Sequence, residues 1–246
     1  MSDSVKVILA SGLFLFAASV FAHEEEEEVD VVKAWEGSGE LGYVGTSGNT
    51  DSTALNFKLN FVRTGERWRH RFSGTALVTS EDGIKDNERY TAEVQSDRKL
   101  TEKSWLFGAF RWDADKFGSY DPSVSLTAGY GYQLMKSEKH EMRREIGAGY
   151  RRLTETVSGR EDGELIGRFL LDDWWQVFES TKWTNRLLVA AGSSNTFTQF
   201  NTGLAVSMTD RFAISVSFEV RNNTKIPPGD TDHTDTVTGV NVVYNF

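Results

Sequence analysis

Residues 239–246 read Gly239-Val240-Asn241-Val242-Val243-Tyr244-Asn245-Phe246, and this stretch decides the fold. It alternates, so that Val240, Val242, Tyr244 and Phe246 fall on one face of an extended strand. In water, a strand with an apolar face and an unpaired edge is a template for aggregation. A strand that closes a barrel in a membrane escapes that fate. Its outer face meets lipid, and both of its edges are hydrogen-bonded.

Working back from this stretch, the period of two holds almost everywhere from Trp35 onward. Leu55, Phe57, Leu59 and Phe61 alternate with Asn56, Lys58 and Asn60, and Phe212, Ile214, Val216, Phe218 and Val220 alternate with Ala213, Ser215, Ser217 and Glu219. Strict alternation over eight or more residues signals strands, and no helical stripe competes with it. The pattern predicts about twelve strands, near 35–46, 52–63, 67–79, 88–99, 104–115, 122–135, 140–153, 164–178, 182–193, 196–208, 211–222 and 235–246. A tilted strand needs only about 9–11 residues to cross a bilayer. Strands in soluble domains average nearer 5–6.

The connections carry a second signal. Alternate ones are short: Thr64-Gly65-Glu66, Thr101-Glu102-Lys103, Lys136 to Lys139, Glu179-Ser180-Thr181 and Thr209-Asp210. The others are mostly longer and polar: Ser80 to Asn87, Lys116 to Asp121, Thr154 to Gly163 and Asn223 to Thr234. Short turns at one end and longer loops at the other mark an antiparallel up-and-down transmembrane barrel, all-β, with its short turns in the periplasm. Aromatics supply a third signal. Trp35, Trp68, Trp105 and Trp183 start strands at the short-turn end, and Phe61, Phe212 and Phe246 share that level, as a periplasmic lipid-interface girdle requires. A soluble lipocalin-like barrel is the alternative fold. The opposite faces are polar, and Arg69, Arg71, Arg89, Glu93, Arg111, Asp113, Arg151 and Arg168 are the candidates to line the lumen. Small barrels are filled by side chains and large ones hold water channels. Twelve strands fall between, so the strand count leaves an open or a plugged lumen equally possible.

Towards the N-terminus, an apolar run from Val7 to Ala22 follows Lys6 and ends in Val20-Phe21-Ala22. It is short for a span and reads as a secretory signal peptide over residues 1–22. Residues 23–33 are an acidic low-complexity stretch with five consecutive glutamates, expected to be a disordered periplasmic tail. The barrel then occupies 34–246. Cysteine is absent, which excludes disulfides and a lipoprotein anchor. A net charge of −9 disfavours nucleic acid as a partner.

The segment from Gly37 to Asp51, GSGELGYVGTSGNTD, resembles the opening strand and first loop of the salt-induced outer-membrane protein family, domain of unknown function family 481. The likeness continues through Gly147-Ala148-Gly149-Tyr150-Arg151 to Tyr244-Asn245-Phe246 and so spans essentially the whole mature chain. It implies the outer membrane of a Gram-negative bacterium and a link to salt or osmotic conditions, with no assigned substrate or functional residues. An aromatic end after an alternating face also resembles the signal for barrel insertion. That resemblance implies that Val240, Val242, Tyr244 and Phe246 meet the barrel-assembly machinery. Lipid and lipopolysaccharide are the other expected partners, and the oligomeric state stays open.

Catalysis finds little support in the residues. A lipid-facing hydrolase needs a histidine beside a serine nucleophile, with a group to orient the histidine. None of His23, His70, His140 or His233 has a serine two residues later. The Asp230 to Asp235 segment superficially fits an Asp–His couple, but loops rich in Asp are commonly just solvated. The acidic segments Glu81 to Glu88 and Asp230 to Asp235 carry oxygen ligands of the kind calcium takes, without EF-hand spacing. No cofactor motif and no metal site is expected. The sequence therefore predicts a narrow passive channel for small polar or ionic solutes. A non-conducting structural barrel with a charge-filled lumen is the alternative.

Overall fold

The computed structural model describes residues 35–46, 51–227 and 232–246. The expected signal peptide and acidic tail, most of the Thr46 to Asn49 loop and the start of the Asp230 to Asp235 segment lie outside them. Twelve strands follow in order: β1 (Glu36–Thr46), β2 (Ser52–Thr64), β3 (Trp68–Glu81), β4 (Ile84–Lys99), β5 (Ser104–Asp115) and β6 (Tyr120–Lys136), then β7 (His140–Glu155), β8 (Glu161–Phe178), β9 (Thr181–Gly192), β10 (Thr196–Ser207), β11 (Phe212–Asn223) and β12 (Thr234–Asn245). Each pairs antiparallel with its sequence neighbours, and β12 returns to β1 to close a barrel. Closure matters physically, because an open edge would leave backbone groups unpaired in a medium that offers no hydrogen bonds.

The closing seam is short. Ser38 to Leu41 of β1 pair with Asn245 to Val242 of β12, and Gly37 and Phe246 exchange two backbone hydrogen bonds of 3.0 Å. The alternating face of the terminal stretch points outward as read, with Val240, Val242, Tyr244 and Phe246 all exposed. Around the rest of the wall, Leu126, Ile146, Leu165, Leu204 and Val216 are likewise exposed, which gives the barrel an apolar outer belt.

Aromatics gather at the short-turn end. Phe61 lies 5.4 Å from Phe246 and 6.2 Å from Phe72 between ring centroids, and Phe212 lies 5.1 Å from Tyr244. Trp35, Trp68 and Trp183 are exposed on the same side, and Trp175, paired across strands with Trp183, joins them. Trp105 does not belong to this ring. It points into the barrel at 5% exposure, because Arg111 and Asp113 share its parity on β5 and no bulge intervenes. Its indole lies over Gly131 of β6, its cross-strand partner, where an added Cβ would sit 2.1 Å from the ring.

At the opposite end the strands run further than their alternation suggests. The Ser80 to Asn87 segment is a continuation of β3 and β4 joined by a two-residue turn, Asp82-Gly83, with φ of 49° and 77°. Two consecutive positive φ values define the tight hairpin turn that Asp-Gly favours. The oxygens that suggested calcium are engaged there otherwise: Asp82 Oδ1 accepts from the Asp51 amide at 2.9 Å, Thr79 donates to Asp86, and Lys85 donates to Glu88 at 2.6 Å. Among the described residues no three acidic or histidine side chains converge on a metal position.

Candidate functional site

The pleat fixes what enters the lumen. On β3, Trp68, His70 and Phe72 face out, so Arg69 and Arg71 face in. On β4 the inward set is Arg89, Glu93, Gln95 and Asp97; on β5 it includes Arg111, Asp113 and Asp115. β7 contributes Arg143, Glu145 and Arg151, β8 contributes Glu164, Arg168 and Asp172, β9 contributes Arg186, and β11 contributes Glu219 and Arg221. All eight lumen candidates read from the sequence lie inside. Trp105 joins them.

These side chains form a connected lattice across the barrel. Its centre is Glu145, fully buried at 0% exposure. Glu145 accepts from Arg71 Nη2 at 2.6 Å, Arg168 Nη1 at 2.7 Å, Gln95 Nε2 at 2.8 Å and Trp105 Nε1 at 3.3 Å. Asp97, also at 0%, accepts from Gln95 at 2.7 Å and Arg69 Nε at 2.8 Å. Arg69 in turn covers the Trp105 ring at 4.9 Å. Towards the loop end, Glu93 meets Arg186, Arg111 and Arg168 at 3.2, 3.3 and 3.5 Å. Asp113 binds Arg111 at 2.6 Å and Arg221 at 2.9 Å, and Arg89 binds Glu219 at 2.8 Å. Arg151 stands apart, held by Glu164 Oε1 and the Asn195 carbonyl, each at 2.5 Å. Charges placed inside a barrel are costly unless paired in this way.

The lattice divides the lumen unequally. From the short-turn end a vestibule of about 1640 Å³ opens, with Arg69, Arg71, Arg143 and Arg186 on one wall. Asn56, Asn60, Ser215, Ser217 and the Lys58–Glu40 pair at 3.6 Å line the other. Nearer the loops, between Glu93, Asp113, Thr127 and Arg168, lies a second, smaller space of about 60 Å³, room for roughly four waters. Beyond the belt, Lys116 in the β5–β6 turn donates to Asp121 at 2.7 Å, and that bond holds its ammonium above the usual lysine value.

The described histidines sit outside the lattice. His70 stacks on Trp68 on the outer face, with Nδ1 2.9 Å from Ser96 Oγ on the neighbouring strand. His140 Nε2 meets Asp173 Oδ1 at 2.6 Å, and His233 Nδ1 lies 2.7 Å from the Asn223 carbonyl.

Asp97, Arg143, Glu145, Glu164, Asp172, Arg186, Glu219 and Arg221 were not among the sequence candidates. Parity identifies most of them. Once Arg151 faces inward, so do Arg143 and Glu145, and Arg168 brings Glu164 and Asp172 with it.

Known proteins share this architecture. The NanC porin matches with a TM-score of 0.52 at 10% identity, over 87% of this chain and all of that one. The COG4313 outer membrane channel from Pseudomonas putida F1 matches at 0.51 and 13% identity, over 92% of this chain and all of its own. At these identities the likeness concerns the fold. In sequence, the chain is 30% identical over 248 residues to the uncharacterized protein YdiY of Escherichia coli (strain K12), covering 98% of this chain and 96% of that protein. The family described as "Protein of unknown function, DUF481" matches residues 39–246, and the chain belongs to it.

Proposed function

We propose that this barrel is a narrow passive channel of the bacterial outer membrane for small polar or ionic solutes. The carrying observation is the vestibule of about 1640 Å³, polar on both walls, which is bordered by an arginine–carboxylate lattice rather than an apolar core. Lumens that hold only packing side chains do not need a wide, wetted half. Lipid and lipopolysaccharide are its surroundings in this reading, and the β12 face is its contact with the assembly machinery. No catalytic step and no cofactor forms part of it. The link to salt or osmotic stress rests on the family resemblance, and is tested by whether expression rises with external salt.

Single-channel recording of the refolded protein in a planar bilayer tests the channel. Small discrete current steps that grow with salt concentration are expected. Silence from demonstrably folded, inserted protein would overturn the reading. A structural, non-conducting barrel is the second reading, favoured by the small size, about 60 Å³, of the space between Glu93, Asp113 and Arg168. Silence in that experiment is its expected outcome.

A further inference from the structure

Four guanidiniums on the vestibule wall, Arg69, Arg71, Arg143 and Arg186, pair with Glu93, Asp97, Glu145 and Asp172, and of these carboxylates only Asp172 lines the vestibule itself. Asp172 is shared by Arg143 at 3.0 Å and Arg186 at 3.3 Å, with Arg71 Nη1 only reaching it at 4.0 Å. Asp97 is shared by Arg69 at 2.8 Å and Arg71 at 3.3 Å. The two remaining acids of this tier, Glu145 and Glu93, are divided with Arg168, and Glu93 also with Arg111. Arg168 and Arg111 draw on Glu145 and Glu93 from the loop side, Arg111 being held chiefly by Asp113 at 2.6 Å. Arg71 Nη1 is buried and makes no hydrogen bond.

We propose that Arg69, Arg71, Arg143 and Arg186 form a binding site for the oxyanion group, carboxylate or phosphate, of a small polar solute. Arginine forks match such groups with two parallel hydrogen bonds, which a lysine cannot supply. Arg143 and Arg186 are partly open to the vestibule, and the wall they face is lined by Asn and Ser with two internally paired cations, Lys58 on Glu40 and Arg89 on Glu219. A cationic wall opposite a neutral one within low-dielectric protein concentrates anions. The vestibule exceeds the roughly 300–1,000 Å³ of pockets that enclose their ligands, so the site holds its anion from one side and binds weakly. The inference deepens the channel reading and rests on it only for calling the bound anion a solute in transit.

The test is calorimetric titration of the folded barrel in detergent with inorganic phosphate, with gluconate and with glucose. Saturable binding of phosphate, gluconate or both is expected, with none for glucose. Whichever probe binds identifies the group recognised. Affinity should fall by about tenfold or more in the Arg143→Gln/Arg186→Gln double variant, and stay unchanged in Arg160→Gln, on the β7–β8 loop. Should the double variant fold poorly, Arg143→Lys/Arg186→Lys keeps the charge, and weaker binding is expected from the lost fork. No binding of either anion, or binding indifferent to these changes, overturns the proposal. Because binding is read without current, a silent bilayer would remove the channel and leave the anion site standing.

Discussion

At the residue scale, Glu145 shows how the lumen is held. A carboxylate closed off from solvent accepts two guanidiniums, an amide and an indole. Glu145→Gln keeps the shape and removes the charge, leaving Arg71 and Arg168 facing each other without their shared partner. Breaking a buried pair from one side costs about 3–5 kcal/mol. We expect the urea midpoint of the reconstituted barrel to drop accordingly, and an unchanged midpoint would show that water in the vestibule screens the pair. Trp105 carries the second lesson at this scale. Its place inside depends on Gly131, and Gly131→Val should push the indole out of its seat. Blue-shifted Trp105 emission, read in a variant that lacks the other tryptophans, should then be lost; retention would contradict the packing.

At the element scale, the β3–β4 hairpin is set by two residues. Asp82 and Gly83 both adopt positive φ, a conformation that costs an L-residue with a Cβ roughly 1–2 kcal/mol. Gly83→Ala is therefore expected to lower stability by about 1 kcal/mol while leaving the lumen intact. Equal stability by denaturant titration would mean that the turn changes type at no cost. The same hairpin shows what alternation alone conceals. Polar residues from Ser80 to Asn87 look like loop because their faces do not contrast. Backbone pairing carries the strands on regardless, with a bulge between Thr79 and Ser80.

At the scale of the whole molecule, the barrel depends on its shortest seam. Four registered pairs and the reciprocal Gly37–Phe246 hydrogen bonds join β1 to β12. Phe246 also packs on Phe61 and Tyr244. Deleting Phe246 removes both hydrogen bonds and the ring contacts at once. The expected result is a lower yield of heat-modifiable, folded barrel in lipid vesicles. A normal yield would place the closure energy elsewhere along the wall.

Alternation by itself determined the strands, their number and their outward faces. Side chains at i and i+2 on a pleated strand have no choice but to share a face, and lipid demands the apolar one. Applied without exception, the same rule also places Trp105, Glu145 and Asp172 inside. Which charges meet was decided only by the tertiary structure. Arg71 reaches Glu145 across 74 positions of chain, and Arg221 reaches Asp113 across 108. Those encounters follow from the closure and stagger of the barrel, which set the height of every inward residue. No local pattern encodes that height. The unequal sizes of the vestibule and of the space beside Glu93 and Asp113 have the same origin, because they depend on how arginines from five strands fill one cross-section.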